Sequence, residues 1–433
     1  MDCGLFQGIK PLRLKNWEPP QFDVGTLEHV ILTHAHIDHI GYLPRLYRQG
    51  FRGTIHCSAP TKRLAEILLE DAAHLQEEDA YFLNKKRATR HSPALPLFTA
   101  ADAREVLRLF DSVRPGKEIR LTPNIAFEYQ LSGHILGACS VIMTLTDGDR
   151  TRRILFSGDV GRYDVPMIPD PKPSIDCDYL VIESTYGDRL HDESDPYDSL
   201  EMAVRQIVNR GSVLLIPAFA VGRAQQLVHM LKQLELRGAI PSLPIHVDSP
   251  MAIDATEIYC DFPGMHRVEV GEGDGSRCLL HGDNITYHRT KASSQSINAL
   301  SGPRIIISAS GMLTGGRILH HLVQRMDNPS NIIALAGFQA EGTRGRDLVE
   351  GKRVIRFHGR EHEVKAEVIS FTGLSGHADY SELMRWVSSI DDSPQTTFVT
   401  HGEPGPATAM AKRLQSERGF NTLVPEFGQE VDL

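Results

Sequence analysis

The sequence predicts an α/β fold in a chain long enough for two domains. Short apolar runs rich in Val and Ile recur along the chain and alternate with stretches of helical periodicity. Residues of metal-binding type stand at the ends of several runs, where an α/β sheet usually presents its functional groups. A chain of 433 residues exceeds the usual size of one compact domain and can bury a large core.

The strands are predicted from apolar runs that end in Gly, Ser or a polar turn. The run HVILT, at residues 29–33, is β-branched and typical of a buried strand. Further strands of this kind are predicted at residues 152–159, 178–185, 211–220, 303–310, 331–338, 367–373 and 396–402.

Helices are predicted from apolar residues at helical spacing. The clearest pattern spans residues 221–238, and its apolar face comprises Leu227, Leu231 and Leu234. Residues 60–115 combine helical periodicity with many charges. The segment GEGDGSR, at residues 271–277, is the most loop-like part of the chain.

Composition and charge exclude several function classes. Apolar residues make up 41% of the chain and charged residues 23%, as in ordinary globular proteins. The net charge of −9 offers no overall basic surface, so a nucleic-acid partner would need a local basic patch or a metal. No apolar run has membrane-spanning length and no N-terminal signal is present, so we expect a cytoplasmic protein without a membrane partner.

The cysteine pattern favours a reducing compartment. The six cysteines are scattered and lack CxxC spacing, which favours buried free thiols over disulfides or a cysteine zinc site. They are Cys3, Cys57, Cys139, Cys177, Cys260 and Cys278.

The densest chemical signal is the segment HAHIDH at residues 34–39. It packs three imidazoles and a carboxylate into six positions. In an extended segment His34 and His36 project to the same side, because side chains repeat every two residues. A surface histidine run, such as a purification tag, is disfavoured because the cluster is internal and lies between apolar elements.

A helix is predicted directly after this cluster, in the segment GYLPRLYRQG. Its residues at helical spacing are Leu43, Leu46 and Tyr47. Gly50 can cap its C-terminus. Asp38 and His39 therefore lie at a strand-to-helix corner, so that two pairs of ligands can face two different metals.

Four further candidate metal ligands stand near the ends of predicted strands. His134 lies in LSGHILGACS, where Gly133 and Gly137 would let the backbone approach a crowded site. Asp159 ends the strand at 152–159, and the remaining two are His377 and His401. Each residue alone would be unremarkable, but together with HAHIDH they indicate a metal centre.

These motifs make the sequence resemble a known family. HAHIDH resembles the HxHxDH signature of the metallo-β-lactamase superfamily, and Asp2, Cys3 and Gly4 resemble its first motif. LSGHILG, FSGD and VIESTYGDR resemble later motifs, in order. SGHADY and VTHGE resemble the closing motifs of the β-CASP nuclease subfamily, and SASGMLTGGR and GFQAEGTRGR resemble segments of its inserted domain. The sequence is similar to bacterial and archaeal RNA-processing members and to the pre-mRNA 3′-end processing endonuclease.

The resemblance implies an αββα metallo-β-lactamase sandwich with an inserted α/β β-CASP domain. It divides the chain into residues 1–185 and 346–433 of the metallo-β-lactamase domain and residues 186–345 of the β-CASP domain. In related chains strands precede the Asp-Cys-Gly motif, whereas this sequence begins one residue before it. Either the start is misplaced or the first strands are missing, and missing strands would leave a sheet edge open.

The resemblance also implies two zinc ions per chain. It assigns His34, His36 and His134 to one ion. The other ion is assigned to Asp38, His39 and His401, with Asp159 bridging both and Asp2 orienting a ligand histidine. The ligand types suit zinc and leave manganese or another divalent ion open.

The implied reaction is hydrolysis of a phosphodiester in single-stranded RNA, by endonucleolytic or exonucleolytic cleavage. The resemblance implies that Asp38 is a catalytic residue at the metal centre, that His377 is the general acid, and that Glu183 orients His377. His401 favours RNA over DNA, because RNA-acting members have histidine there. The residues predicted to contact substrate phosphate are Ser375, Gly376, Arg317, Arg344 and Arg346. A homodimer is compatible with the family.

Two other functions are open at this point. A metallo-hydrolase of a lactone, thioester or lactam would use the same metals, but a large cap and an acid pair would be superfluous for it. A metal-free RNA-binding protein would keep the fold, but the complete ligand set argues against it.

Overall fold

The computed structural model describes residues 1–87, 89, 91–191, 195–268, 278, 280–337, 339–357 and 359–433. The predicted loop at 271–277 lies outside the described residues. Contacts divide the chain into two compact units. The first unit comprises Met1–Val165, Pro169–Leu190 and His377–Leu433. The second comprises Pro166–Ile168 and His191–Gly376.

The strands of the first unit form two sheets. They are β1 (His29–Ile31), β2 (Thr54–Cys57), β3 (Phe110–Ser112), β4 (Ile119–Thr122), β5 (Ile125–Leu131), β6 (Cys139–Asp147), β7 (Arg150–Phe156), β8 (Tyr179–Ile182), β17 (Thr396–Val399) and β18 (Thr422–Leu423). The smaller sheet is parallel, in the order β1-β2-β3. The larger is mixed, in the order β18-β17-β8-β7-β6-β5-β4.

The helices of the first unit are α1 (Lys10–Lys15), α2 (Ile37–Ile40), α3 (Leu43–Arg48), α4 (Ala59–Lys86), α5 (Ala100–Leu107), α12 (Tyr380–Val387) and α13 (Pro404–Arg418). The two sheets pack face to face, because Ile31 and Val113 join one buried cluster with Phe127 and Val141. Helices α12 and α13 pack on the other face of the larger sheet, around the buried Trp386. Helix α4 contacts β3 of the smaller sheet, which completes the predicted αββα layers.

The second unit is built on a parallel sheet. The strands of the second unit are β9 (Val213–Pro217), β10 (Ile245–Asp248), β11 (Ile285–Tyr287), β12 (Arg304–Ser308), β13 (Ile332–Ala336), β14 (Val354–Phe357), β15 (Arg360–Glu363) and β16 (Glu367–Phe371). Strands β14 and β15 form a separate antiparallel pair. The sheet has the order β11-β10-β12-β9-β13-β16, and all its pairs are parallel. Every residue of β9, β12 and β13 is buried, as expected for a sheet covered on both faces.

The helices of the second unit are α6 (Pro196–Arg210), α7 (Arg223–Leu236), α8 (Pro250–Asp261), α9 (Lys291–Ser296), α10 (Ile318–Arg325) and α11 (Arg344–Val349). Ile318 and Leu322 of α10 pack with Leu215 of β9 and Leu348 of α11 in one buried cluster. In the part of the chain that the structure describes, none of the helices is long and apolar enough to cross a membrane.

The predicted α/β class is confirmed, and each predicted strand overlaps an observed one, although β7 begins at Arg150, before the predicted strand at 152–159. The amphipathic helix predicted at 221–238 is α7, and the one predicted from 43 is α3. Gln49 caps α3, and Gly50 follows with φ of 116°. The corner that carries Asp38 and His39 is itself the one-turn helix α2.

The last segment of the first unit begins at His377, because β16 pairs with β13 in the parallel sheet of the second unit. The division of the domains at residue 346 stays a prediction. The prediction of free thiols is wrong for Cys260 and Cys278, which form a disulfide with Cα atoms 5.5 Å apart. Cys260 lies near the end of α8, and the fold brings Cys278 beside it without any signal in the spacing.

Gly4 lets the N-terminal segment lie directly against the HAHIDH segment. The backbone N–H of Cys3 donates to the carbonyl of His39 at 2.7 Å. A Cβ added to Gly4 would lie 1.5 Å from the carbonyl oxygen of Asp38, so no side chain fits there.

We therefore expect Gly4→Ala to destabilise the protein by roughly 1–3 kcal/mol, because the added methyl must displace backbone that carries two candidate ligands. Gly405→Ala is the matched control, since an added Cβ there meets nothing within 4 Å. Thermal denaturation followed by circular dichroism compares the two variants. Equal melting temperatures would contradict this account of Gly4.

Candidate metal centre

The HAHIDH segment is fixed by its apolar neighbours. Ala35 and Ile40 are completely buried, and they anchor the segment between β1 and α3. His34 is also completely buried, whereas Asp38 lies at the surface of the unit. Because small and apolar residues alternate with the histidines in this segment, the imidazoles point toward the same candidate metal centre.

His34, His36 and His134 form a first group of ligand atoms. Nδ1 of His36 lies 3.0 Å from Nε2 of His34 and 3.1 Å from Nε2 of His134. Oδ2 of Asp159 lies 3.4 Å from Nε2 of His34 and 3.5 Å from Nε2 of His134. Gly133 and Gly137, on either side of His134, have φ of 73° and 78°, a conformation that glycine adopts readily.

Asp38, His39 and His401 form a second group. Nε2 of His401 lies 3.2 Å from Nε2 of His39 and 3.6 Å from Oδ2 of Asp38. The other carboxylate oxygen of Asp159, Oδ1, lies 3.4 Å from Nε2 of His39 and 3.3 Å from Nδ1 of His401. The structure therefore brings all seven predicted ligands together, with one oxygen of Asp159 facing each group.

These residues fit divalent cations. Imidazole nitrogens about 2.0–2.1 Å from a tetrahedral zinc lie about 3.3 Å from one another, close to the spacing in the first group. Oδ1 of Asp159 is buried and accepts no hydrogen bond from the residues that the structure describes. A buried carboxylate oxygen without a donor is stabilised by a cation, so the donor set suits a metal centre.

The protonation of the histidines differs between the two groups. Burial lowers the pKa of His36 to about 4 and that of His34 well below its usual value. Burial opposes protonation of His401 as well, but Asp159 and Asp38 outweigh it and raise its pKa to about 9. His34 and His36 of the first group thus tend to stay neutral, which is the form of imidazole that binds metals. The second group attracts positive charge, which a cation can supply in place of a proton.

Asp2 holds His39 in place from the N-terminal segment. Oδ2 of Asp2 lies 2.8 Å from Nδ1 of His39 and accepts a hydrogen bond from the hydroxyl of Thr33 at 2.9 Å. The backbone N–H of Thr33 donates to Oδ1 of Asp2 at 2.7 Å. Nε2 of His39, the other ring nitrogen, faces His401 and Asp159. The orienting role of Asp2 stays a prediction.

Glu183 and His377 lie beside the two groups. Nδ1 of His377 is 3.3 Å from both carboxylate oxygens of Glu183 and 3.8 Å from Oδ2 of Asp159. Oε1 of Glu183 accepts a hydrogen bond from the backbone N–H of Val160 at 2.7 Å, which fixes the carboxylate. Burial acts to lower the pKa of His377, but Glu183 and Asp159 prevail and raise it.

The residues predicted to contact phosphate lie in the second unit, and three of them have partners there. Arg317 donates to the buried carboxylate of Asp248 at 2.7 Å and to two backbone carbonyls. Arg344 donates to the carbonyls of Arg356, Leu313 and Thr314, and Arg346 pairs with Glu350. Ser375 is buried and Gly376 half-buried, directly before His377. Their contact with phosphate stays a prediction.

Sequence reasoning missed two threonines that support the site. Thr33 bridges Asp2 and the ligand segment, as described above. The hydroxyl of Thr185 donates to the backbone carbonyl of His401 at 3.2 Å and lies 3.3 Å from its Nδ1. Each threonine adjoins a motif, Thr33 before HAHIDH and Thr185 within VIESTYGDR, and that adjacency was the available signal.

Three family models match the chain in sequence order. Residues 2–206 match the metallo-β-lactamase superfamily. Residues 224–348 match the β-CASP domain, and residues 361–425 match the Zn-dependent metallo-hydrolase RNA specificity domain.

Relatives of this chain include bacterial and archaeal proteins. A ribonuclease of Thermus thermophilus is 33% identical over 100% of this chain and 93% of its own length. The transcription termination factor FttA of Methanocaldococcus jannaschii is 28% identical, over 98% of this chain and 66% of its own. FttA of Pyrococcus abyssi is 31% identical, over 95% of this chain and 63% of its own. The chain thus spans about two-thirds of the length of the termination factors.

The fold and the site define a metal-dependent hydrolase of the nuclease class. The chain belongs to the β-CASP family of the metallo-β-lactamase superfamily.

If Asp2 orients His39, Asp2→Asn should weaken metal binding by roughly 10- to 100-fold, because the charged acceptor for the ring N–H is lost. Competition with a chromophoric chelator measures this affinity. Asp149→Asn, in an exposed turn, is the control for loss of one carboxylate. Unchanged affinity in Asp2→Asn would show that Thr33 and the fold orient His39 without it.

Proposed function

We propose that this protein hydrolyses phosphodiester bonds of single-stranded RNA with two zinc ions. The observation that carries the proposal is the pair of ligand groups that share the buried carboxylate of Asp159. His34, His36 and His134 would hold one ion, and Asp38, His39 and His401 the other. Two adjacent divalent cations, when bound, acidify a water and stabilise charge on phosphoryl oxygens.

The chain's own residues supply the proton that the leaving oxygen needs. Nδ1 of His377 lies against the carboxylate of Glu183. In the protonated ring the other nitrogen, Nε2, therefore carries the proton that passes to the departing 3′ oxygen. The raised pKa of His377, which results from Glu183 and Asp159 overcoming burial, supports a general acid that is protonated near neutral pH. His377 is thus the proposed catalytic acid and Glu183 the residue that positions it.

RNA is favoured as the substrate by two lines of support. The C-terminal part of the chain matches a model described as an RNA specificity domain, and a relative that covers nearly the whole chain is named a ribonuclease. His401 occupies the position where the sequence resemblance implies an RNA-acting enzyme. The alternative, a hydrolase of a lactone, thioester or lactam, would have no leaving alkoxide for the pair of Glu183 and His377 to protonate.

The proposal is tested by incubating the purified protein with single-stranded RNA labelled at either end. We expect cleavage that stops after chelation and returns when zinc is restored, and elemental analysis giving two ions per chain. Product lengths distinguish endonucleolytic from 5′ exonucleolytic cleavage. Cleavage that persists without metal, or hydrolysis of lactam and thioester substrates with RNA left intact, would contradict the proposal.

Replacing His377 by Ala should lower turnover by roughly 10²- to 10⁴-fold with metal content unchanged, because the residue is assigned to proton donation. Glu183→Gln should have a similar but smaller effect. His74→Ala removes an exposed histidine of α4 and serves as the control. Loss of one ion from His377→Ala would instead make His377 a ligand, which its position 3.8 Å from Asp159 also permits.

Replacing His401 by Ala should empty or weaken the site shared with Asp38 and His39 and leave the first site largely filled. Turnover should fall strongly, because one ion cannot stabilise both the attacking and the leaving oxygen. Zinc stoichiometry and cleavage of matched RNA and DNA strands provide the measurements. Full occupancy with normal RNA cleavage, or equal cleavage of both strands by the unaltered protein, would refute the role of His401.

A further inference from the structure

A polar cleft of about 250 Å³ lies at the amino-terminal edge of the parallel sheet in the second unit. It is lined where three neighbouring strands begin: by Ser212 and Val213 at β9, by Arg304 at β12, and by Asn331 before β13. Arg325, at the end of α10, also lines it. The proposed nuclease chemistry uses none of these residues.

The cleft contains buried hydrogen-bond donors without acceptors. Arg304 and Arg325 are only 8% and 5% exposed. The Nε–H of each guanidinium is buried and has no acceptor among the residues that the structure describes, and the buried hydroxyl of Ser212 also has no partner there. Each buried donor without an acceptor is destabilising, so these three groups leave the cleft short of hydrogen-bond acceptors.

The two arginines also lack counter-charges. None of the residues that line the cleft is acidic. Across the described part of the chain, no carboxylate oxygen lies within 4.0 Å of either guanidinium. Arg304 donates to the carbonyl of Gly302 at 2.7 Å, and Arg325 donates to the amide oxygen of Asn298 at 2.9 Å. Nη1 of Arg325 also lies 3.1 Å from Nδ1 of His321, so Arg325 approaches the carboxylate of Asp248 only through this imidazole.

The electrostatics of the cleft reflect this lack of counter-charge. Burial and the charge of Arg304 together lower the pKa of Arg325 to about 10, and Asp248 only partly opposes them. Burial alone lowers the pKa of Arg304. Two buried cations that repel each other are destabilising unless an anion joins them.

We propose that this cleft binds a phosphoryl group, either as free phosphate or as the phosphate of a small phosphomonoester. The planar guanidinium is the side chain best suited to bind phosphate oxygens through two parallel hydrogen bonds. A phosphate in the cleft would lie against the guanidinium groups of Arg304 and Arg325 and beside Ser212. The volume of the cleft leaves room for a sugar attached to the phosphate.

Isothermal titration calorimetry of the metal-loaded full chain, at constant ionic strength, tests the proposal with inorganic phosphate and ribose 5-phosphate as probes. We expect binding that Arg304→Gln and Arg325→Gln each weaken at least tenfold. Arg356→Gln removes an exposed arginine of the same unit and should leave binding unchanged. Tighter binding of ribose 5-phosphate would identify a phosphomonoester as the ligand, and equal or tighter binding of phosphate the free ion.

Comparison of the variants distinguishes phosphate bound in the cleft from phosphate bound at the metal centre, because the cleft variants leave all metal ligands in place. Identical phosphate binding in the unaltered protein and in both cleft variants would overturn the proposal. Arg304→Lys keeps the charge but not the paired donors, so it should bind with intermediate affinity.

Thermal denaturation provides a second readout that does not depend on RNA cleavage. If the arginines bind an anion, phosphate should raise the melting temperature of the unaltered protein but not that of Arg304→Gln. Without phosphate, Arg304→Gln should be no less stable than the unaltered protein. If the arginines only stabilise the fold, Arg304→Gln and Arg325→Gln should melt at a lower temperature than the unaltered protein. Phosphate should then stabilise none of the three proteins. The second pattern would refute the proposal.

Discussion

The buried carboxylate of Asp159 is the contact on which the rest of the site depends. It is 1% exposed, and one of its oxygens faces each group of histidines. Burial acts to raise its pKa, but His401 and His39 outweigh this and keep the carboxylate ionised. An ionised carboxylate in such a position is stable only when positive charge lies beside it, so the two ligand groups and Asp159 form one electrostatic unit.

The register of three parallel strands places this carboxylate among its partners. Phe156 of β7, Val181 of β8 and Phe398 of β17 lie in one row across the larger sheet. Asp159, Glu183 and His401 follow these residues within three positions along their strands. A shift of one residue in any pairing would turn the side chains to the opposite face, so the apolar core that sets the register also sets the geometry of the site.

Residue types and strand ends made much of the fold and the candidate site predictable from the sequence. The strands were predictable because they are short β-branched runs with turn residues behind them, and the ligands because histidines are dense in HAHIDH. Contacts between distant segments carried no such signal. The disulfide between Cys260 and Cys278 and the placement of β16 in the second unit both depend on the tertiary fold rather than on local pattern. The same is true of Arg304 and Arg325, which look like ordinary surface residues in the sequence.

His401 shows how backbone strain is used at the site. Its φ of 51° lies in the left-handed region, which is unfavourable for a residue with a side chain by roughly 1–3 kcal/mol. Gly402 follows, and a Cβ there would lie 2.4 Å from the hydroxyl of Ser184, so the chain turns tightly after β17. Thr185 supports this turn by bonding to the carbonyl of His401. The strained turn brings the imidazole within reach of both Asp38 and Asp159, and the interaction of His401 with these carboxylates offsets the strain.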